Sequence, residues 1–125
     1  MVASATVTSE VETARRLVDL LEKDGFQLDV AVWAADSEGR GRLYLVPTEQ
    51  DGSDRDELRQ TVRVAYTMSA HKDELPDRHE LKYSIVGPQH PMIQAVRSAS
   101  TSGKLQGLYG DGIYIDTAYV LRPAA

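Results

Sequence analysis

The sequence has no cysteine in its 125 residues. Disulfide bonds, thiolate metal sites and a cysteine nucleophile are therefore excluded, and nothing favours an oxidising compartment. No apolar run is long enough to cross a bilayer, and residues 1–7 lack the cationic and apolar segments of a secretory signal. We therefore expect a cytoplasmic protein without membrane association, in which residues 1–8 form a flexible tail.

Positive charge is also in short supply, with 14 basic residues against 19 acidic ones and a net charge of −5. Nucleic-acid affinity depends on neutralising many phosphates, so this balance argues against a nucleic-acid partner. The fractions of hydrophobic residues (42%) and charged residues (26%) are typical of a folded globular protein. Because the length suits one domain, we expect residues 9–125 to form a single α+β domain.

The first predicted helix has signals at both ends. Ser9 and Glu12 have the spacing of a capping box, in which each side chain satisfies a free backbone N–H. Apolar residues then recur every three or four positions until Gly25, which suits the left-handed end of a helix. The sequence therefore predicts a helix from about Glu10 to Lys23.

Two further helices are predicted. Ser53 can cap the second, which continues to about Ala70. One face of this helix is apolar and consists of Leu58, Val62, Ala65 and Tyr66. Pro91 suits the first turn of the third helix, where its missing N–H has no cost.

Five strands are predicted between and after these helices. Residues 28–35 and 42–46 are separated by turn formers and indicate a hairpin, as do residues 105–109 and 113–121. Residues 81–85 alternate between apolar and polar, which is typical of a half-buried strand. The predicted order is α-β-β-α-β-α-β-β, in an α+β domain with a mostly antiparallel or mixed five-stranded sheet packed by about three helices.

No motif for catalysis, a cofactor or a metal meets the required spacing. Residues 102–104 (Ser-Gly-Lys) lack the upstream glycine and the following hydroxyl of a phosphate-binding loop. Asp111 lies between two glycines, but the later oxygen ligands of a calcium loop are missing, and a hairpin turn explains the pattern. The histidines show no helical metal spacing; they are His71, His79 and His90. We therefore predict no catalytic residue, no metal ligand and no cofactor.

Two enzymatic alternatives stay open. Glu80 and Lys82 have the strand spacing that some metal-dependent nucleases use, with Asp77 or Asp36 as the upstream carboxylate, although a solvent-facing charge pair is the simpler interpretation. The other alternative is a small-molecule pocket between the sheet and the helices. Its expected surroundings are Tyr66, Tyr83 and His71.

The second face of the predicted sheet is the main functional clue. If Leu28, Val30 and Val32 face the helices, the alternate positions face the other way. A solvated face would be rich in charged residues and threonine, whereas aromatic residues of the kind found in interface cores occur here. A covering helix and a different strand register are the two competing explanations. The candidate interface consists of Trp33, Tyr44, Tyr114, Ala31 and Ala118.

Four segments resemble those of a group of short, uncharacterised prokaryotic proteins. They are DGF at 24–26, AVW at 31–33, RLYL at 42–45 and IDTAYVLR at 115–122. The resemblance spans most of the chain and implies a self-standing cytoplasmic domain of bacterial or archaeal origin, without implying an activity. The residues themselves favour a non-enzymatic protein-interaction or regulatory module that acts as a homodimer or with a small partner protein.

Overall fold

The structure is a computed structural model that describes the backbone of residues 2–36, 38, 40–49, 53–75, 81–99, 103–110 and 113–122. Within these residues, three α-helices and a mixed β-sheet confirm the predicted α+β class. The elements in chain order are α1 (Val2–Lys23), β1 (Leu28–Ala35), β2 (Gly41–Pro47), α2 (Asp54–Ala70), β3 (Tyr83–Ile85), α3 (Pro91–Ala99), β4 (Gly103–Gly110) and β5 (Ile113–Arg122). A short 3-10 helix, Lys72–Glu74, follows α2.

Helix α1 begins earlier than its sequence pattern predicts. The predicted start at Glu10 is wrong, because the helix runs from Val2 and includes the capping-box residues Ser9 and Glu12. Residues 2–8 contain neither glycine nor proline, so no residue of this segment stops the helix. Flexibility of this end stays a prediction.

The end of α1 follows its sequence signal. Gly25 adopts a left-handed conformation with a φ of 89°. Its N–H donates to the Glu22 carbonyl oxygen at 3.1 Å, and the Phe26 N–H donates to the Leu21 carbonyl oxygen at 2.8 Å. This pair of bonds is a Schellman motif, and it turns the Phe26 ring back onto the helix, where the ring is buried.

Five strands form one sheet among the described residues, in the order β3-β2-β1-β5-β4. Both hairpins are antiparallel, and β1 also pairs antiparallel with β5. Strands β2 and β3 are parallel, which fits a connection that crosses over through α2. The Arg42 side chain holds the short edge strand β3 by donating to the Tyr83 carbonyl oxygen (3.1 Å) and to Ser84 Oγ (2.9 Å).

Helices cover both faces of the sheet and divide the buried residues into two clusters. Helices α1 and α2 close the first cluster, whose members include Leu17, Leu21, Trp33, Leu43 and Val64. Helix α3 closes the second cluster, whose members include Val32, Val46, Met92, Ile93 and Ala118. The sheet is therefore the middle of three layers, and its central strand β1 is apolar on both sides.

Candidate functional site

Trp33, the centre of the predicted interface, lies in the core. Its side chain is 0% exposed in the first cluster, which α1 and α2 close, and its ring lies 6.1 Å from the ring of Tyr119. The prediction of an open surface around Trp33 is therefore wrong. Because helices cover both sides of β1, the strand is apolar at successive positions, and its pattern cannot show which side is free.

The other predicted interface residues do not share one surface. Ala31 is buried in the first cluster and Ala118 in the second, so they lie on opposite faces of the sheet. Tyr44 is half-buried beside the second cluster, with its ring 5.5 Å from that of His90. The backbone of Tyr114 belongs to β5, whereas its side chain lies outside the described residues. The described members of this set therefore form no common docking surface.

In the described part of the chain, the large exposed apolar side chains lie on α2. They are Leu58 (65% exposed), Val62 (58%) and Tyr66 (73%). Residues four apart lie above one another on a helix, so the three form one row about 12 Å long. We call this row the α2 face.

The inward side of α2 is more polar than the α2 face. Its buried members are Asp56, Gln60, Val64 and Thr67. Gln60 Nε2 donates to the Glu49 carbonyl oxygen at 3.0 Å, and Thr67 Oγ1 donates to Asp24 Oδ2 at 3.2 Å. These hydrogen bonds hold α2 in a rotation that turns its apolar row to solvent, the reverse of the usual amphipathic arrangement.

Three arginines follow the α2 face along one side. Arg55, Arg59 and Arg63 are spaced four residues apart on the exposed surface of the helix, and we call them the Arg row. Arg59 forms an ion pair with the buried carboxylate of Asp56. The Arg63 guanidinium lies 4.9 Å from the centre of the Phe26 ring. The outer surface of α2 therefore combines an apolar row with a positive edge.

A groove of about 580 Å³, the α2 groove, lies between the end of α1 and the second half of α2. Its lining includes Asp24, Phe26, Val62, Tyr66 and His71. Tyr66 and His71, two of the three residues expected around a pocket, thus come together. The Tyr83 hydroxyl instead donates to the Thr61 carbonyl oxygen at 3.4 Å, and burial raises the pKa of this hydroxyl.

The polar side of the α2 groove is a hydrogen-bonded cluster around His71. Its Nε2 lies 3.3 Å from Asp24 Oδ2, and its Nδ1 lies 2.9 Å from Glu74 Oε2. Thr67 donates to the same Asp24 oxygen, and the His71 backbone N–H donates to the Thr67 carbonyl oxygen. These contacts tie the end of α2 to the end of α1, which gives each of the polar groups a structural role.

In the described residues, no group of three or more histidine, aspartate and glutamate side chains is placed to hold a metal ion. Asp36, considered as a nuclease carboxylate, accepts the backbone N–H of Arg40 (3.1 Å) and that of Glu38 (2.9 Å). The bond from Arg40 lowers the pKa of the Asp36 carboxyl, so this residue organises the β1–β2 turn. Residues singled out in the sequence that lie outside the described residues are Asp77, His79, Glu80, Ser102 and Asp111.

Comparisons of the chain with protein-family models, with curated proteins and with solved structures found no match. Among the described residues, no helix combines the length and the apolar character needed to cross a bilayer. The functional conclusion therefore depends on the geometry of α2 and its surroundings.

The sequence marks Leu58, Val62 and Tyr66 only as one side of a helix. Ordinary helix periodicity predicts that such a side faces the core. The rotation of α2 has no local signal, because the hydrogen bonds that hold it come from Gln60 to the loop after β2 and from Thr67 to the end of α1.

Proposed function

We propose that this protein is a non-enzymatic interaction module that binds a partner protein through the α2 face. The proposal depends on one observation: Leu58, Val62 and Tyr66 are all exposed, and together they form one continuous apolar row. Single exposed apolar residues are common on folded proteins, whereas a contiguous apolar patch is typical of a binding surface. Covering a side chain of this size contributes roughly 1.5–3 kcal/mol, so a partner that covers the α2 face gains from all three.

Charge on α2 favours a different protein over a second copy of this chain. In a symmetric antiparallel pair of α2 helices, each side of one helix meets the same side of the other, which brings the Arg row against itself. In a parallel pair the Arg row meets the opposite side, the row of Glu57, Thr61 and Ala65, which offers one carboxylate to three arginines. A different protein has its own sequence, so it can place acidic residues opposite the whole Arg row in either helix orientation.

A photo-crosslinking amino acid in place of Val62 tests this proposal in cells. We expect a covalent adduct with one other protein, because Val62 is at the centre of the α2 face. The same probe at Gln94 is the control and should give no such adduct, because Gln94 is exposed on α3 at the opposite face of the sheet. The partner is then purified, and its affinity for the intact chain is measured by calorimetry.

The double variant Leu58→Ser/Tyr66→Ser should weaken this affinity by at least about tenfold through lost apolar contact. Both positions are exposed, so the melting temperature should change little, which separates loss of binding from loss of the fold. Light scattering should show that the isolated chain is a monomer. The proposal is wrong if no adduct forms, if the adduct joins two copies of this chain, or if the double variant binds the partner as well as the intact chain does.

A further inference from the structure

We infer that the partner presents an amphipathic helix, with an apolar row that covers the α2 face and acidic residues that face the Arg row. This inference rests on the proposed function and specifies the chemistry of the binding segment. It follows from the form of α2, from the groove beside it and from the position of its charges.

The backbone of α2 offers a partner no hydrogen bonds along the α2 face. Within a helix each N–H is bonded to a carbonyl oxygen one turn earlier, so a β-strand cannot pair with this surface. Recognition must therefore come from side chains. A row with one side chain per turn, as formed by Leu58, Val62 and Tyr66, matches the surface of another helix, whose side chains repeat at the same interval.

The α2 groove provides a place for an anchoring side chain of the partner helix. Its apolar part lies beside Val62 and Tyr66 and includes Phe26, which the left-handed turn at Gly25 holds in place. Its volume of about 580 Å³ accommodates a large apolar side chain. Anchors that fill such pockets supply much of the binding energy of protein interfaces. A leucine or an aromatic residue of the partner therefore occupies this groove.

The Arg row determines the charge of the partner. Its guanidinium groups lie beside the α2 face, at the edge of a contact made there, where charged residues set specificity. Within the described residues, Arg59 pairs with Asp56, whereas no carboxylate lies within ion-pair distance of Arg55 or Arg63. Carboxylates on the facing side of the partner helix complement both of these cations, and basic residues there are repelled.

Two synthetic helical peptides of about five turns test the inference. Both carry the same leucine row; the acidic peptide has glutamates beside that row, and the basic peptide has lysines at the same positions. Fluorescence anisotropy with the purified chain should show at least about tenfold tighter binding of the acidic peptide. This difference should shrink as salt is added, because the Arg row is exposed. Tyr66→Ser should weaken binding of the acidic peptide.

Charge reversal on the protein is the matched test. The variant Arg55→Glu/Arg63→Glu should prefer the basic peptide, while Arg59 is left unchanged because it pairs with a buried carboxylate. Arg97→Glu reverses a charge on α3, at the opposite face of the sheet, and should keep the original preference, although it also breaks the exposed ion pair of Arg97 with Asp29 (3.5 Å). Circular dichroism melting checks the fold of each variant. If loss of the Arg63 ring contact destabilises the double variant, Arg55→Glu alone should reduce the preference for the acidic peptide.

Equal binding of the two peptides, binding of neither, or a preference of the unaltered chain for the basic peptide would overturn the inference. None of these results removes the proposed function. A partner can form the adduct at position 62, and can lose affinity for the Leu58→Ser/Tyr66→Ser variant, without presenting an acidic helix. Failure of that crosslinking experiment, in contrast, removes the proposed function itself.

Discussion

At the scale of single residues, two glycines are required for different reasons. A Cβ atom at Gly41 would lie 2.0 Å from Cζ2 of Trp33, whose ring is fully buried. A Cβ atom at Gly25 would meet no other atom within 4 Å, but the φ of 89° at Gly25 is a conformation that other residues rarely adopt. Glycine is therefore required at position 41 because a side chain has no space there, and at position 25 because of the backbone conformation.

Asparagine substitutions separate these two requirements. Gly25→Asn should lower the free energy of unfolding by less than about 1 kcal/mol, because asparagine tolerates the left-handed conformation. Gly41→Asn should lower it by about 3 kcal/mol or more, because the ring or the strand must shift to admit the new side chain. Urea denaturation measures both values. Equal losses for the two variants would contradict the close contact between Gly41 and Trp33.

Burial of Tyr83 predicts a loss of stability in alkaline solution. Its hydroxyl has a pKa raised above the ordinary value of 10.0 in the folded state. The folded protein therefore holds this proton more tightly than the unfolded chain does. The resulting contribution to stability is complete below the unfolded pKa and is lost as the pH rises through the folded pKa.

Tyr83→Phe should consequently lose less stability than the unaltered chain when the pH is raised from about 9 to about 11. Urea denaturation at both pH values is the measurement, and Tyr66→Phe is the control for removing an exposed hydroxyl.

At the scale of elements, the rotation of α2 decides which of its side chains are exposed. The start of this helix follows its local signal, since Ser53 Oγ accepts the Asp56 N–H at 3.1 Å as predicted. Its rotation depends on distant residues, because Gln60 is bonded to Glu49 and Val64 packs in the first cluster. The apolar row therefore remains outside although it is the more hydrophobic side.

Two valines on α2 provide a matched test of this rotation. Val64→Ala should lower the free energy of unfolding by about 2 kcal/mol, because Val64 is fully buried and its loss leaves a cavity. Val62→Ala should change it by less than about 0.5 kcal/mol, because that side chain is mostly in solvent. Chemical denaturation of both variants is the measurement. The opposite ranking would mean that the α2 face packs against the core.

At the scale of the whole molecule, the strand order joins distant parts of the chain. Strand β5 lies beside the central strand β1, so the end of β5 reaches α1. There Arg122 donates to Asp19 Oδ1 (2.7 Å) and to Glu22 Oε1 (2.9 Å), and the hydrogen bond with Asp19 raises the pKa of the Arg122 guanidinium. Helices on both faces then leave little of the sheet's centre exposed, so the proposed binding surface lies on a helix.

Trp33 is the only tryptophan, so its fluorescence reports on the centre of this three-layer arrangement. We expect blue-shifted emission from the native protein and weak quenching by acrylamide, because the ring is fully buried. The red shift on urea unfolding should coincide with the loss of helical circular dichroism, as in a cooperative single domain. Native emission typical of a solvated indole would contradict the burial of Trp33 in the cluster that α1 and α2 close.

Local patterns were sufficient where the deciding interactions join near neighbours in the chain. The Ser53 cap, the turn at Gly25 and the extent of β1 belong to this group, because each depends on residues within a turn or a strand. The burial of Trp33 and the exposure of the α2 face could not be predicted in this way. Both depend on which helix covers which face of the sheet and on how that helix is rotated. Long-range contacts such as that between Gln60 and Glu49 make this choice, so tertiary packing decides which apolar residues of this chain are exposed to solvent.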